Sequence, residues 1–173
     1  MARMGTTKSV RVMITGHRPQ YMDRQEQATT RQLLRLALQR LQLRHPDMVL
    51  LSGMAIGADQ WAAEAALSLG IPVEAAVPFK GQEDRWAASQ QAHYRHLLTQ
   101  CAEVHVLSDA PYHPSLYLMR NQWLVNHANL ALAVWSGVRS GGTWDAIKRI
   151  HDASLPCLHV WPDSGINPLL SPS

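Results

Sequence analysis

Six short apolar runs recur along the chain, at 10–14, 48–51, 73–77, 103–107, 130–135 and 155–160. Helix signals fill most of the intervals: 23–44, stopped by His45-Pro46; 57–69, stopped by Gly70; then 82–100, 116–127 and 143–153. Most of the runs lack polar alternation, so both faces of their sheet are expected to be covered. Strand and helix in alternation predict an α/β fold, a Rossmann-like three-layer domain with a mostly parallel sheet of about six strands. One such domain is expected over 10–161. A flexible tail is expected at 1–9 and an irregular Pro/Ser/Gly-rich tail at 162–173.

Composition narrows the function classes. The chain has 173 residues, of which 46% are hydrophobic and 17% charged, so it can build a core. No apolar run approaches the length needed to span a bilayer, and no membrane partner is expected. Residues 1–8 hold no apolar stretch of signal-peptide type. Cys101 and Cys157 stand outside any Cys-x-x-Cys spacing and read as buried free thiols, which fits a cytoplasmic location. Charge is uneven: residues 1–44 carry nine Lys/Arg and two Asp/Glu, the remainder seven and eleven. Arg24, Arg31 and Arg35 share one side of the first helix and read as a solvated face. Single-stranded nucleic-acid binding through that face is the lesser alternative, since no aromatic residues interleave the basic ones.

Chemistry collects in the turns that leave the C-terminal ends of the apolar runs. The first is Thr15-Gly16-His17-Arg18, and the second runs through Gly53, Met54, Ala55, Gly57, Ala58 and Asp59. A third holds Gly137, Ser140, Gly141, Gly142 and Thr143. In a parallel sheet all three meet at one edge, where such folds bind ligands. Glycine lets backbone approach a ligand closely, and the free N–H groups of a helix start attract anions. Phosphate is therefore expected between Gly53–Gly57 and 141–143, with Arg18 as a forked donor. His17 has two readings, a ligand contact or a turn residue bonded to backbone. Asp59 likewise either favours its helix start or holds a ribose hydroxyl. Neither Gly-x-Gly-x-x-Gly nor a Walker A Lys-Ser/Thr is present.

Outside the glycine turns, Arg120 is expected to neutralise ligand charge and Asn121 to hold sugar or base. Pro78 and Phe79 close the third run and Trp135 ends the fifth; Phe79 or Trp135 would pack on a base. Glu64 and Asp59 are the candidates for catalysis, although Glu64 reads first as an exposed acid. Nine histidines form no His-x-x-x-His, so no metal is expected, and no Gly-x-Ser-x-Gly nucleophile occurs.

In their joint order these motifs resemble the SLOG superfamily and its YpsA-like branch. The resemblance rests on Thr15-Gly16-His17-Arg18, on Gly53-Met54-Ala55-Ile56-Gly57-Ala58-Asp59-Gln60-Trp61-Ala62-Ala63-Glu64, and on Pro78-Phe79, Trp86, Tyr94, Arg120-Asn121 and Gly141-Gly142-Thr143. It covers about 10–160 of the chain. The resemblance implies binding of a nucleotide or nucleotide-derived ligand, such as a mononucleotide, ADP-ribose or an NAD-derived signal, with no other obligatory cofactor. It also implies self-association, expected here as a homodimer through helix faces. LOG-type phosphoribohydrolases and DNA-processing protein A belong to the same superfamily. The LOG-type enzymes carry Pro-Gly-Gly-x-Gly-Thr-x-x-Glu. When the Gly-Thr pairs are aligned, Ala146 stands where that Glu would be, and Asp145 is one residue early, about 100° away on a helix. A sensor or binding protein is expected, with an N-glycosidase of nucleotides as the alternative.

Overall fold

A computed structural model describes residues 8–169. The expected tail at 1–9 lies outside the described residues except for its last two. Strand β1 (Arg11–Gly16) leads through one 3-10 turn, Pro19–Tyr21, to helix α1 (Arg24–Arg44). There follow β2 (Val49–Ser52), α2 (Ala58–Ser68), β3 (Val73–Val77), α3 (Ala88–Gln100) and β4 (Glu103–Val106). The chain then returns through α4 (Ser115–His127) to β5 (Leu130–Val134), α5 (Gly141–Asp152), β6 (Cys157–Trp161) and β7 (Gly165–Pro168).

One sheet holds all seven strands in the order β4-β3-β2-β1-β5-β6-β7. Every neighbouring pair is parallel except β6–β7. The expected six strands are present, and β7 is an addition within the stretch read as irregular. Gly165 and Pro168 read as turn residues, yet an antiparallel edge strand tolerates proline because only one of its sides must pair.

Side chains alternate across the sheet and divide the core in two. Ile14, Leu50, Val73 and Ala75 face α1, α2 and α3. Met13, Leu51, Ala76 and Ala131 face α4 and α5. Such burial stabilises the fold by about 1.5–3 kcal/mol for each large aliphatic side chain. Helix α1 starts where the sequence places it: the Asp23 carboxylate accepts from Glu26 N at 2.8 Å, and Glu26 accepts from Asp23 N at 2.9 Å. Helix α3 starts later than the expected residue 82. Gly81 turns the chain with φ +84°, and Gln82 is buried as a donor to Gly53 O, so 82–87 cannot be helical. Among the described residues no helix is long and apolar enough to cross a membrane.

The chain's direction of travel reverses between β1 and β5. Strands β1 to β4 step outward one way, and α4 carries the chain back to the other side of β1. The loops after β1 and β5 diverge at this point and open a crevice, the place where open α/β sheets hold ligands.

Candidate functional site

A cleft of about 880 Å³ occupies that crevice. From the β1 side it is lined by Thr15, Gly16, His17 and Arg18, and from the second turn by Ala55 and Asp59. The β5–α5 turn supplies Ser140, Gly141, Gly142 and Thr143, and α4 supplies Arg120 and Asn121. Three turns far apart in sequence thus meet at one edge.

His17 joins them. Its N–H donates to Val134 O at 3.1 Å, and its carbonyl accepts from Ala58 N at 3.2 Å. Its Nε2 accepts from Ser136 N at 2.9 Å. Burial pushes its pKa down, which keeps Nε2 an acceptor. Of the two readings of His17, the backbone-bonded one describes these contacts. Gly16 allows the close approach that the junction needs: a Cβ there would lie 2.6 Å from Ala58 Cβ. Ala58 is accordingly a packing residue, and Gly57 (φ +105°) caps α2 against His17 O.

The floor of the cleft is charged. Arg120 is buried, and its Nη1 donates to Gly53 O at 2.9 Å. Among the described residues its Nε has no hydrogen-bond partner and no ion pair includes it. The Tyr117 ring lies 5.6 Å from its Cζ. Gln82 also donates to Gly53 O, at 3.1 Å. Burial pushes the Asp59 carboxyl up to about 6, against the opposing pull of Arg120, the Ala55 N–H and Arg18. Asp59 accepts from Ala55 N at 3.3 Å.

Opposite the floor, α5 points its start at the cleft. Ser140 precedes it without a side-chain cap, and the N–H groups of Gly141, Gly142 and Thr143 find no acceptor among the described residues. Asn121 Nδ2 donates to Gly142 O and to Asp145 Oδ2, both at 3.1 Å, and so ties α4 to this turn. Asp145 is engaged by Arg149 at 2.8 Å, which holds its carboxyl below the usual range despite partial burial.

Several expected site residues lie elsewhere. Glu64 is on the far side of α2, paired with Arg31 at 3.2 Å and with His93 at 2.6 Å, and so is absent from the cleft. Trp135 stacks on Trp144 with ring centres 5.5 Å apart, donates to Val138 O and is 7% exposed, which leaves little of its ring open to a base. Phe79 meets Tyr112 and Tyr117 edge-on and backs the cleft wall from behind, with buried Pro78 beside it. Gly53 packs under Arg120, and Met54 is fully buried with φ +60°. Gly137 turns the β5–α5 loop with φ +91° away from the cleft lining. Tyr21, Tyr117, Leu118 and His113 line the cleft and were not singled out from the sequence. Tyr21 stacks on His17 at 4.4 Å and is 52% exposed. A turn before α1 and the second residue of an expected helix carry no periodic signal that would have marked them.

The model of the YpsA family, described as the YspA SLOG family, matches residues 12–154. The chain belongs to the YpsA family of SLOG proteins. A YpsA-family chain of this length is similar to the UPF0398 protein of Brevibacillus brevis, 26% identical over 67% of this chain and 62% of the relative. It therefore spans less than two thirds of that relative's length. Among solved structures it is similar to DNA processing protein A from Streptococcus pneumoniae, with TM-score 0.64 and 17% identity, covering 88% of this chain and 50% of that one. It is also similar to the molybdenum cofactor carrier protein of Chlamydomonas reinhardtii, with TM-score 0.57 and 12% identity over 88% of this chain and 77% of that one. At these identities the two structures share a fold with the YpsA-family chain.

Proposed function

We propose that this protein binds a nucleotide or nucleotide-derived anion in the β1–β5 cleft and acts as a ligand-binding or sensing protein. The observation that carries this reading is Arg120: a buried guanidinium whose Nε has no hydrogen-bond partner and which makes no ion pair within 4 Å among the described residues, Asp59 acting on it only through space. A buried charge is costly without a partner, and an anion in the cleft would supply one. The bare start of α5 offers three N–H donors to the same anion, and Arg18 adds exposed charge at the mouth. Tyr21 and Tyr117 offer faces for a base in place of Trp135 and Phe79. Membership of the SLOG family supports a nucleotide-related ligand, as do the names of the DNA-processing and cofactor-carrying neighbours. The proposed working unit is a homodimer.

Asp59 favours a second reading, cleavage of a nucleotide's N-glycosidic bond. A buried carboxyl with a raised pKa in a ligand cleft suits an acid or base near a sugar. Thermal unfolding with mononucleotides, NAD, ADP-ribose and cyclic nucleotides, followed by chromatography, separates the readings. A ligand at 100 times its Kd stabilises the fold by about 2.7 kcal/mol. Binding with the nucleotide recovered intact supports a sensor. Release of free base, lost in Asp59→Asn, supports the enzyme. The variant Arg120→Met is expected to fold, since Gly53 O keeps Gln82, and to lose the ligand-induced shift. No shift with any nucleotide, but salt-sensitive binding of a single-stranded oligonucleotide, would replace both readings.

A further inference from the structure

The two edges of the sheet are built differently. β7 ends in Pro168, whose nitrogen cannot donate to a further strand. β4 has the sequence Glu103-Val104-His105-Val106, with no proline or lysine to blunt it. Among the described residues no strand pairs with its outer side. Leu107 N donates inward to Val77 O, so strand alternation turns the N–H and C=O groups of Val104 and Val106 outward. These two valines are 43% and 51% exposed, and their side chains lie on the face shared with Ala75 and Val77. Glu103 and His105 project from the other face, with His105 Nε2 3.2 Å from Glu103 Oε2.

This edge is complementary to itself. If a second copy adds its β4 antiparallel about a two-fold axis through Val104, the two Val104 residues exchange backbone hydrogen bonds. Each Glu103 then stands directly opposite His105 of the second copy, and each His105 opposite the second copy's Glu103. Cross-strand neighbours of this kind have Cβ atoms about 4.5–5.5 Å apart, close enough to pair. Two carboxylates alternating with two imidazoles would close one face of the junction as hydrogen-bonding pairs, and the valines would cover the other. We infer that β4 is the homodimerisation edge, joining two seven-stranded sheets into one continuous sheet. The contact differs from the helix-face association expected from the sequence, and it leaves the ligand cleft between β1 and β5 open. A junction of two four-residue strands is small, so the dimer is reversible and concentration-dependent.

A disulfide across the axis tests this geometry in the full chain. In a Cys101→Ser background, Val104→Cys is expected to give a covalent dimer on mild oxidation. Two hydrogen-bonded partners lie about 5.5 Å apart at Cα, within disulfide range. Val106→Cys, which does not face itself across the axis, is expected to remain largely monomeric under the same conditions. Sedimentation of the unmodified chain should show a monomer–dimer equilibrium, weakened at least tenfold by Val104→Lys, with circular dichroism confirming that the variant is folded. A chain that stays monomeric at all concentrations overturns the inference. So does equal cross-linking at the two positions, or a dimer that Val104→Lys leaves intact.

Discussion

At Gly53 an added methyl group would meet Arg120 Cζ at 2.6 Å, whereas at Gly142 it would meet nothing within 4 Å. Gly142 also has no positive φ to explain it. The first glycine serves the fold; at the second the described residues leave room for a side chain, and the proposed ligand is the reason we assign to its absence. Gly53→Ala is therefore expected to cost about 1–3 kcal/mol in urea unfolding, through displacement of Arg120. Gly142→Ala should change stability by no more than about 0.5 kcal/mol. It should nevertheless weaken nucleotide binding roughly tenfold in a thermal-shift titration, about 1.4 kcal/mol. Equal effects of the two variants on stability would contradict this division. Both glycines stood out in the sequence because glycine at a strand end announces a turn. The sequence does not distinguish them, because the distinction is a distance to Arg120, 67 residues away in the chain. The same limit explains Trp135 and Phe79, placed on a base by their position at strand ends. Each satisfies its ring against other aromatic side chains instead.

Elements were most readable where a single residue type decides their start or stop. Asp23 and Glu26 form a reciprocal cap, and α1 begins beside them as expected. Asp23→Ala is expected to cost about 1 kcal/mol, read as a lower denaturation midpoint with an unchanged slope. An unaltered midpoint would mean that packing of α1 alone fixes its first turn. Helix α3 was harder to read, because the stretch from Gln82 to Gln91 holds several helix formers and no Gly or Pro to mark a break. Gln82 is taken out of the helix by its bond to Gly53 O, and Gln91 Nε2 donates to the carbonyls of Glu83 and Asp84 to stabilise the turns. Tertiary contacts there override local propensity. In β7 the opposite holds: poor strand formers pair because β6 offers them a partner.

Across the whole molecule, two buried carboxylates give stability opposite responses to acid. Arg11 clasps Glu74 through two hydrogen bonds of 3.0 Å, and His105 adds a third at 2.9 Å. Burial alone would raise the Glu74 pKa, but these partners outweigh it and hold it below its ordinary 4.5. The stability it contributes is present above that value and lost as pH falls through its depressed pKa. Asp59 does the reverse. Its pKa rises from 3.8 to about 6, so the folded state holds a proton that the unfolded chain releases. Stability from this group is full below 3.8 and declines as pH rises towards 6, by about 3 kcal/mol in all. Urea unfolding from pH 4 to 7 should show that decline, and Asp59→Asn should flatten it. Glu74→Gln should flatten the acid limb and leave the Asp59 window unchanged.

The junction made by His17 also sets an order of events during synthesis. His17 and Ser136 are 119 residues apart in the chain. A nascent chain that has released β1 to β4 already carries Arg18, Asp59 and the Gly53 turn, but it lacks Arg120 and the start of α5. No ligand can template the early half, because half of the cleft has not yet left the ribosome. The proposed ligand could engage only when the last third of the domain docks against β1. It would act as a late seal on a nearly finished sheet, and a truncated chain would escape it entirely.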